Sequence, residues 1–372
     1  MTEKQFQTPF GNCHLNRDVI SRQPNLRAWD AADEYLLDEF SKHPKAGILV
    51  ANDQFGGLTV PLSGYVNEIW TDSFLSTTAI TDNITANNLP LNIHFIPAHQ
   101  QPRSSPSLAI VRIPKNNTFF AWQLCCLHNL LTVGTELWLG GMEKHISKSQ
   151  FELVDKLFGP VKFLPGWKKA RIWKAHKADE RHHAVELFKP GFNLAKYDLT
   201  LVQTPNVFSG AKADQGSLFL LEQLPDLTGT NTIADIGCGN GLLSLAVARQ
   251  YPDIRISAID ESYQAVACCC ENARLNHCDN IHGSVANALA GFAANSFDKV
   301  LCNPPFHQGT TLTEHLAHWM FKTTARTLTN GGELWVVANR HLDYPRVLKS
   351  IFGNCHTAKQ NSRFKVYRVS KN

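Results

Sequence analysis

The sequence predicts two tandem α/β domains that arose by duplication, of which the first has degenerated. A strand, a glycine-rich turn and a helix follow one another at residues 233–248, and a worn version of this pattern lies near residues 47–58. The 372 residues are too many for one average domain and suit two. With 43% hydrophobic and 18% charged residues, the chain can bury sizeable cores and is not expected to be disordered. We expect the domains to span residues 1–185 and 186–372.

The second copy carries an intact glycine turn. Ile233–Ile236 is predicted to be a strand, and Gly237, Gly239 and Gly241 follow it in a G-x-G-x-G spacing. Glycines without a Cβ atom let the backbone approach a ligand closely. Asp260 ends the next predicted strand, where a carboxylate can accept both hydroxyls of a ribose, as in Rossmann folds. The second half is therefore predicted to be a Rossmann-like domain.

A stiff, polar turn follows a later strand of the same half. Asn303, Pro304, Pro305 and Phe306 come directly after an apolar run, at the strand end where open α/β sheets bind ligands. The two prolines remove backbone N–H donors and hold the turn rigid, with its carbonyls outward. Asn303 adds a neutral acceptor and Phe306 a flat apolar face, which together suit an amine on a planar base. The alternative is a proline-rich turn that only closes a strand.

The first copy has lost these features. When the first turn is aligned with the second, only one of the three glycines is matched by a glycine. The aligned pairs are Asn52/Asp235, Gln54/Gly237, Gly56/Gly239 and Leu58/Gly241. Asp72 is set against Asp260, Ile113 against Asn303, and the asparagine pair Asn83/Asn87 against Asn272/Asn276. We therefore expect the first domain to bind no cofactor.

A basic segment lies between the two copies. Residues 160–177 hold six basic side chains and no acidic one, namely Lys162, Lys168, Lys169, Arg171, Lys174 and Lys177, with Phe163, Trp167 and Trp173 interleaved. Cations for phosphate and aromatic platforms for bases suit single-stranded RNA. The alternative is a basic surface strand whose tryptophans belong to the core. We expect a basic linker that ends the first domain, and a net charge of +4 is compatible with a nucleic-acid partner.

Neither a metal site nor a membrane span is expected. The ten cysteines include no C-x-x-C pair, and the contiguous ones would fan over different faces of a helix. Cys302 is not favoured as a nucleophile because strand alternation points it away from its neighbour Asn303. Without a run of about 18 apolar residues, the chain is predicted to be a cytoplasmic enzyme.

The order of these motifs resembles the class I S-adenosylmethionine-dependent methyltransferases. Two halves with only the second intact, together with the Asn303–His307 turn, resemble the bacterial guanine-N2 methyltransferases of ribosomal RNA. The resemblance implies that S-adenosylmethionine is held by the Gly237–Gly241 loop, which includes Cys238. It further implies that Asp260 binds the ribose, that Asn287 lies near the adenine, and that Asp235 orients the methionine amine.

The resemblance also implies a substrate and a mechanism. Residues 28–36, 167–171 and 338–344 are similar to the members of the family that act on large-subunit RNA, which implies one specific guanine of 23S ribosomal RNA. Asn303 and the Pro304 carbonyl would accept the two N–H bonds of the guanine amine, and Phe306 would stack on the base. Pro305 and the cations Lys168, Lys169 and Arg171 would contact the RNA. A monomer is expected.

Three alternatives remain open at this stage. The same reaction on 16S ribosomal RNA would use the same catalytic motif. A protein glutamine N5-methyltransferase also recognises a planar amide, but that family has tyrosine where Phe306 stands and lacks a degenerate first copy. A non-catalytic RNA-binding assembly factor would not need the intact glycine turn and Asp260.

Overall fold

The computed structural model describes residues 4–17, 26–207, 212–304 and 311–372, with the side chains of 311–314 left aside. The chain forms two compact units, Met1–Leu187 and Phe188–Asn372. Each unit contains a mixed seven-stranded sheet with buried apolar clusters on both faces. The prediction of two tandem Rossmann-like domains is confirmed.

The first unit contains a hairpin, a sheet and four α-helices among its described residues. The elements are β1 (Gln5–Thr8), β2 (Gly11–His14), α1 (Ala31–Ser41), β3 (Ile48–Ala51), β4 (Val66–Thr71), α2 (Phe74–Ala86), β5 (His94–Pro97), β6 (Leu108–Arg112), α3 (Asn117–Leu130), β7 (Glu136–Met142), α4 (Lys148–Phe158), β8 (Lys162–Phe163) and β9 (Ala170–His176). The sheet order is β5-β4-β3-β6-β7-β9-β8, with β8 and β9 antiparallel to their neighbours. The basic segment therefore forms the last two strands of this sheet.

The second unit repeats the plan. Its elements are β10 (Lys189–Leu194), β11 (Leu199–Gln203), α5 (Gln215–Leu221), β12 (Thr232–Ile236), α6 (Leu242–Gln250), β13 (Arg255–Asp260), α7 (Tyr263–Leu275), β14 (Ile281–Val285), β15 (Phe297–Cys302), α8 (Thr311–Thr327), β16 (Leu328–Asn339), α9 (Tyr344–Phe352), β17 (His356–Gln360) and β18 (Phe364–Ser370). The sheet order, β14-β13-β12-β15-β16-β18-β17, matches that of the first unit strand for strand.

Burial explains why the central strands are almost wholly apolar. All four residues of β3 are buried, and four of the five residues of β12 are buried. A parallel strand covered on both faces needs side chains that tolerate burial on either side, so it lacks the alternation of a half-exposed strand. The carboxyl ends of these strands meet at one edge, which is where the glycine loop and the Asn303 turn lie.

The strand register shows which residues correspond in the two units. Ala51 pairs with Val111 in the first sheet, and Ile236 pairs with Cys302 in the second. The next residue, Asn52, donates its N–H to the Trp70 carbonyl as Gly237 donates to the Ile259 carbonyl. Asn52 therefore corresponds to Gly237.

This register corrects the sequence alignment of the two turns. Gly56 has a φ of +87° and corresponds to Gly241, with a φ of +84°, and not to Gly239, which the sequence alignment predicts two residues earlier. Thr71, not Asp72, corresponds to Asp260. The backbone carbonyl of each accepts a hydrogen bond from the backbone N–H of the residue that follows the neighbouring strand of its sheet. Arg112, not Ile113, corresponds to Asn303. Sequence identity misaligned the loops because the first copy retains so few of the glycines.

Paired asparagines hold the hairpin of each unit in the same way. Asn83 accepts from the N–H of Asn16 and donates to its carbonyl, while Asn87 does the same with His14. Asn272 and Asn276 make the matching bonds to Val202 and Thr200. These amides satisfy backbone groups that no strand partner reaches.

Candidate active site

The glycine loop of the second unit presents bare backbone to the edge of the sheet. Gly237, Gly239 and Gly241 have φ values of +76°, +54° and +84°, which L side chains rarely adopt. A Cβ atom on Gly239 would meet no atom of a described residue within 4 Å, so that position faces space left open by this part of the chain. A Cβ atom on Gly241 would lie 2.5 Å from the Cys269 sulfur, so this glycine allows the loop to pack on α7.

Two carboxylates flank the loop. Asp260 accepts the Gly239 N–H at 3.0 Å and the Ser262 N–H at 3.0 Å, and burial raises the pKa of its carboxyl. Asp235 is fully buried and accepts from the Ser244 hydroxyl at 2.7 Å through Oδ2. Its Oδ1 has no hydrogen-bond partner within the described ranges, and burial raises the pKa of Asp235 to about 6. A cationic group beside Oδ1 would compensate this unpaired oxygen.

Asn303 lies directly after β15, in contact with the start of α5. Its Nδ2 donates to Asp214 Oδ2 at 2.7 Å and to Ser217 Oγ at 2.8 Å. Its Oδ1 is buried and has no hydrogen-bond partner among the residues that the structure describes. The backbone carbonyl of Asn303 lies 3.8 Å from the Cβ position of Gly237, so the turn and the glycine loop adjoin. The site thus presents a fixed, unpaired acceptor beside a bare backbone cradle.

The remaining residues predicted for this site are placed as follows. Pro304 is buried, and Asn287 is half-buried just beyond β14. Cys238 is buried, and the neighbouring Cys269 thiol together with burial raises its thiol pKa. Pro305 and Phe306 lie outside the described residues. Cys302 is fully buried with a raised thiol pKa, which disfavours the thiolate that a nucleophile needs.

The cations of the basic segment lie in the first unit, and two of the three predicted RNA contacts are paired there. Lys168 contacts Glu34 at 3.1 Å and Arg171 contacts Glu143 at 2.7 Å. Lys169 is exposed.

The aromatic residues of this segment are divided between core and surface. Trp173 is in the core with 5% exposure, whereas Trp167 is 38% exposed and Phe163 is 55% exposed. The two interpretations of the segment therefore each describe part of it.

In the first unit, side chains fill the place that corresponds to the glycine loop of the second. Asn52 has the left-handed φ of +63° that its glycine counterpart adopts, and its side chain bonds the Arg112 carbonyl at 3.0 Å. The buried Gln123 exchanges two hydrogen bonds with the same amide, at 2.9 and 3.0 Å. Arg112 in turn binds Asp30 and Asp33 at 2.8 and 2.7 Å. Side chains thus occupy this edge of the first sheet.

Sequence analysis did not identify Asp214 and Ser217 as parts of the site. A signal was available, because Asp214 and Ser217 are spaced as Asp30 and Asp33 are, each pair at the start of a helix that buries apolar residues. The role of this spacing is seen only in the hydrogen bonds that Asp30 and Asp214 accept from residues far along the chain.

The residues present fit S-adenosylmethionine. The loop has open space at Gly239, a carboxylate in Asp260 for a ribose, and an unpaired buried oxygen in Asp235 for an ammonium group. Among the described residues, no cluster of three or more His, Cys, Asp or Glu side chains is arranged to hold a metal ion. Nor is any helix in the described ranges long and apolar enough to cross a membrane.

Comparisons with known proteins agree with the two-unit division. The family model described as "RLMG N-terminal domain" matches residues 3–179, and that described as "Methyltransferase small domain" matches residues 198–368. The solved structure of the T. Thermophilus 16S rRNA N2 G1207 methyltransferase, in complex with AdoMet and guanosine, superposes with a TM-score of 0.80. At 21% identity over 99% of this chain and 97% of that one, it shows a shared fold.

Curated relatives match nearly the whole chain. The ribosomal RNA large subunit methyltransferase G of Aeromonas hydrophila is 36% identical over 98% of this chain and 100% of its own length. Those of Photobacterium profundum and Yersinia pestis are 36% and 37% identical, over 96% and 98% of this chain and 96% and 94% of their own lengths. The chain is therefore a methyltransferase and belongs to the ribosomal RNA large subunit methyltransferase G family.

Proposed function

We propose that this enzyme transfers the methyl group of S-adenosylmethionine to the N2 amine of a specific guanine in 23S ribosomal RNA. The single observation that carries the proposal is Asn303 Oδ1, which is buried beside the glycine loop and has no hydrogen-bond partner in the part of the chain that the structure describes. A buried acceptor without a partner costs about 1–3 kcal/mol, so a substrate donor that pairs with it gains that much. An exocyclic amine is such a donor.

The chemistry follows from the electronic structure of guanine. The N2 lone pair is delocalised into the ring and is a poor nucleophile. If Asn303 Oδ1 and the Pro304 carbonyl accept the two N–H bonds, the lone pair turns toward the methyl group on sulfur. The amine loses its proton after attack, so no strong base is needed, and most of the acceleration comes from positioning in a desolvated site. We expect Phe306 to stack on the base, which must be unpaired or flipped out to enter.

The cofactor assignments rest on this geometry. Asp260 would accept the ribose hydroxyls, and Asp235 Oδ1 would face the methionine ammonium. Gly237, Gly239 and Gly241, with Cys238 between them, would pass close to the cofactor, and Asn287 would lie near the adenine. The first unit would bind no cofactor, because Asn52, Gln123 and Arg112 fill the corresponding place.

The first unit is proposed to bind RNA through Lys168, Lys169 and Arg171. Their carboxylate partners do not exclude this role, since exposed ion pairs contribute only about 0–1 kcal/mol and phosphate can replace them. Trp167, over which Lys168 Nζ lies at 4.3 Å, adds an aromatic face. We further expect a monomeric, cytoplasmic enzyme.

Labelled S-adenosylmethionine, incubated in separate reactions with deproteinised ribosomal RNA and with ribosomal protein, tests the reaction class. We expect labelled N2-methylguanosine from 23S RNA and no label in 16S RNA or in protein glutamine. Label in 16S RNA alone would favour the small-subunit alternative, and label in protein would favour the glutamine alternative.

Asn303→Ala should lower turnover by orders of magnitude while cofactor affinity stays within about twofold, because it removes an acceptor used on the amine. Equal losses of turnover and cofactor affinity would place Asn303 in the cofactor pocket.

A further inference from the structure

The orientation of the Asn303 side chain is set by its neighbours. Both protons of its NH2 group are used, one by Asp214 Oδ2 and one by Ser217 Oγ. An ionised carboxylate can only accept hydrogen bonds, so the nitrogen end of the amide must face Asp214. The oxygen end is thereby kept free of Asp214 and Ser217, and it is buried without a hydrogen-bond partner among the described residues.

Asp214 is itself held in place. Its Oδ2 accepts the Ser217 N–H at 2.7 Å, which makes it the N-cap residue of α5. A Cβ atom on Gly216 would lie 3.1 Å from Asp214 Oδ2 and 3.5 Å from Asn303 Oδ1. The absence of a side chain at 216 therefore leaves room for the carboxylate and the amide to meet.

The first unit uses the same frame with different chemistry. Asp30 is the N-cap residue of α1, and it binds Arg112 together with Asp33. Two carboxylates there hold a permanent cation, whereas one carboxylate and one hydroxyl hold a neutral amide in the second unit. The frame thus positions whichever side chain follows the strand, and the acid at the helix start is its common part.

We propose that Asp214, assisted by Ser217, is a positioning residue that keeps Asn303 Oδ1 directed at the substrate amine. This inference rests on the proposed function of Asn303. Without the carboxylate, the Asn303 amide can rotate by 180° and direct its N–H groups at the substrate amine. Because both groups are then donors, no hydrogen bond forms between them. Turnover would fall because a fraction of the molecules would hold the Asn303 amide in the wrong orientation and because the amide would be held less rigidly. The cofactor site would be unchanged.

Asp214→Asn is the decisive variant in the full-length enzyme. Asparagine still caps the helix, so α5 is retained, but its own amide can donate to Asn303 Oδ1 and stabilise the flipped orientation. We expect kcat to fall about 10- to 100-fold, with the Kd for S-adenosylhomocysteine and the melting temperature little changed. Ser217→Ala should lower kcat less than Asp214→Asn does. Ser217→Thr, which retains the hydroxyl, should keep kcat near that of the unaltered enzyme.

Asp30→Asn is the matched control, because it makes the same change at the corresponding N-cap of the first unit. It alters the contact with Arg112 and should leave kcat unchanged. A loss of kcat equal to that of Asp214→Asn would show a general effect of weakened helix starts and overturn the inference.

A double-mutant cycle separates the inference from the proposed function. If Asp214 acts through Asn303, then Asp214→Asn has no further effect on kcat in the Asn303→Ala background. The same fold-loss in both backgrounds would mean that Asp214 acts independently, and an unchanged kcat in the single Asp214→Asn variant would refute the positioning role. In either case an Asn303→Ala enzyme whose turnover is lowered by orders of magnitude but still measurable would leave the proposed role of Asn303 standing. An Asn303→Ala enzyme with undiminished turnover would instead refute that role.

Discussion

Arg112 and Asn303 occupy the same position in two copies of one fold. Each is the residue after the strand pair Val111–Ala51 or Cys302–Ile236, and each is held by the first turn of a helix. In the first copy the guanidinium is bound by Asp30 and Asp33, while in the second copy one oxygen of the amide is buried and has no partner among the described residues. The same frame therefore serves as a structural ion pair in one unit and as a candidate substrate site in the other.

We expect Arg112→Met to destabilise the first unit. Removing the cation leaves Asp33, whose side chain is only 10% exposed, without its partner, and breaking such a pair costs about 3–5 kcal/mol. Tryptophan fluorescence during urea unfolding measures this loss, because most of the eight tryptophans lie in the first unit, at positions 29, 70, 122, 138, 167 and 173.

Lys148→Ala serves as the control for Arg112→Met. This lysine makes an exposed ion pair with Glu152 in the same unit, and its removal should cost only about 0.3–0.5 kcal/mol. If both substitutions cost the same, the Arg112 network is not the structural element described here.

We expect one cofactor per chain, bound in the second unit. Calorimetry with S-adenosylhomocysteine should give a stoichiometry near one, and Asp260→Ala should abolish most of the affinity by removing the acceptor for the ribose. Thr71→Ala, the change at the corresponding position of the first unit, should leave binding intact. Two sites per chain, or full affinity in the Asp260→Ala variant, would contradict the assignment.

Candidate site residues at the strand ends can be proposed from the sequence more readily than the residues that hold them. Gly237, Asp260 and Asn303 stand out because their types and spacing match the requirements of a ligand at the edge of a parallel sheet. The role of Asp214 could not be predicted, since its contact with Asn303 depends on how α5 packs against the end of β15.

The degenerate copy was harder to align than to recognise. Its repeated strands and asparagine pairs indicated the duplication, yet Gly56 was matched to the wrong glycine. Asn52 adopts a left-handed conformation that the sequence does not reveal, so an asparagine occupies a position where the second copy has a glycine. Hydrogen-bond register, which links residues distant in the chain, was needed to correct it.

Cofactor affinity should fall as the pH drops below about 6. Burial raises the pKa of Asp235 to about 6 in the free enzyme, and the ammonium of bound S-adenosylhomocysteine would lower it again. Binding then requires loss of a proton below pH 6, so affinity should decline up to about tenfold per pH unit there and be flat above. Calorimetry from pH 5 to 8 measures this dependence.

Asp235→Asn isolates the contribution of Asp235 to that pH dependence. The variant should bind more weakly at pH 8 and show a smaller slope below pH 6. Burial also raises the pKa of Asp260, so any slope that remains belongs to that carboxyl. An unchanged slope in the variant would remove Asp235 from contact with the ammonium group.

The basic segment should govern RNA affinity without affecting the chemical step. Replacing Lys168, Lys169 and Arg171 by glutamate removes three candidate phosphate contacts, so the Michaelis constant for RNA should rise while kcat and cofactor affinity stay unchanged. Each phosphate contact with single-stranded RNA contributes about 0.7 to the slope of log affinity against log salt, so that slope should fall in magnitude by about 2. Filter binding of ribosomal RNA fragments between low and moderate salt gives this slope.

A control for that variant must change as much charge at residues outside the segment. Lys42, Lys45 and Lys148 are lysines of the same unit, and each is paired with a carboxylate, as Lys168 and Arg171 are. Their replacement by glutamate should weaken RNA binding much less, because non-specific repulsion acts on both triple variants while only one loses phosphate contacts. Equal losses in the two variants would mean that net charge, and not this surface, controls RNA binding. The first unit would then support the enzyme by some means other than the basic segment.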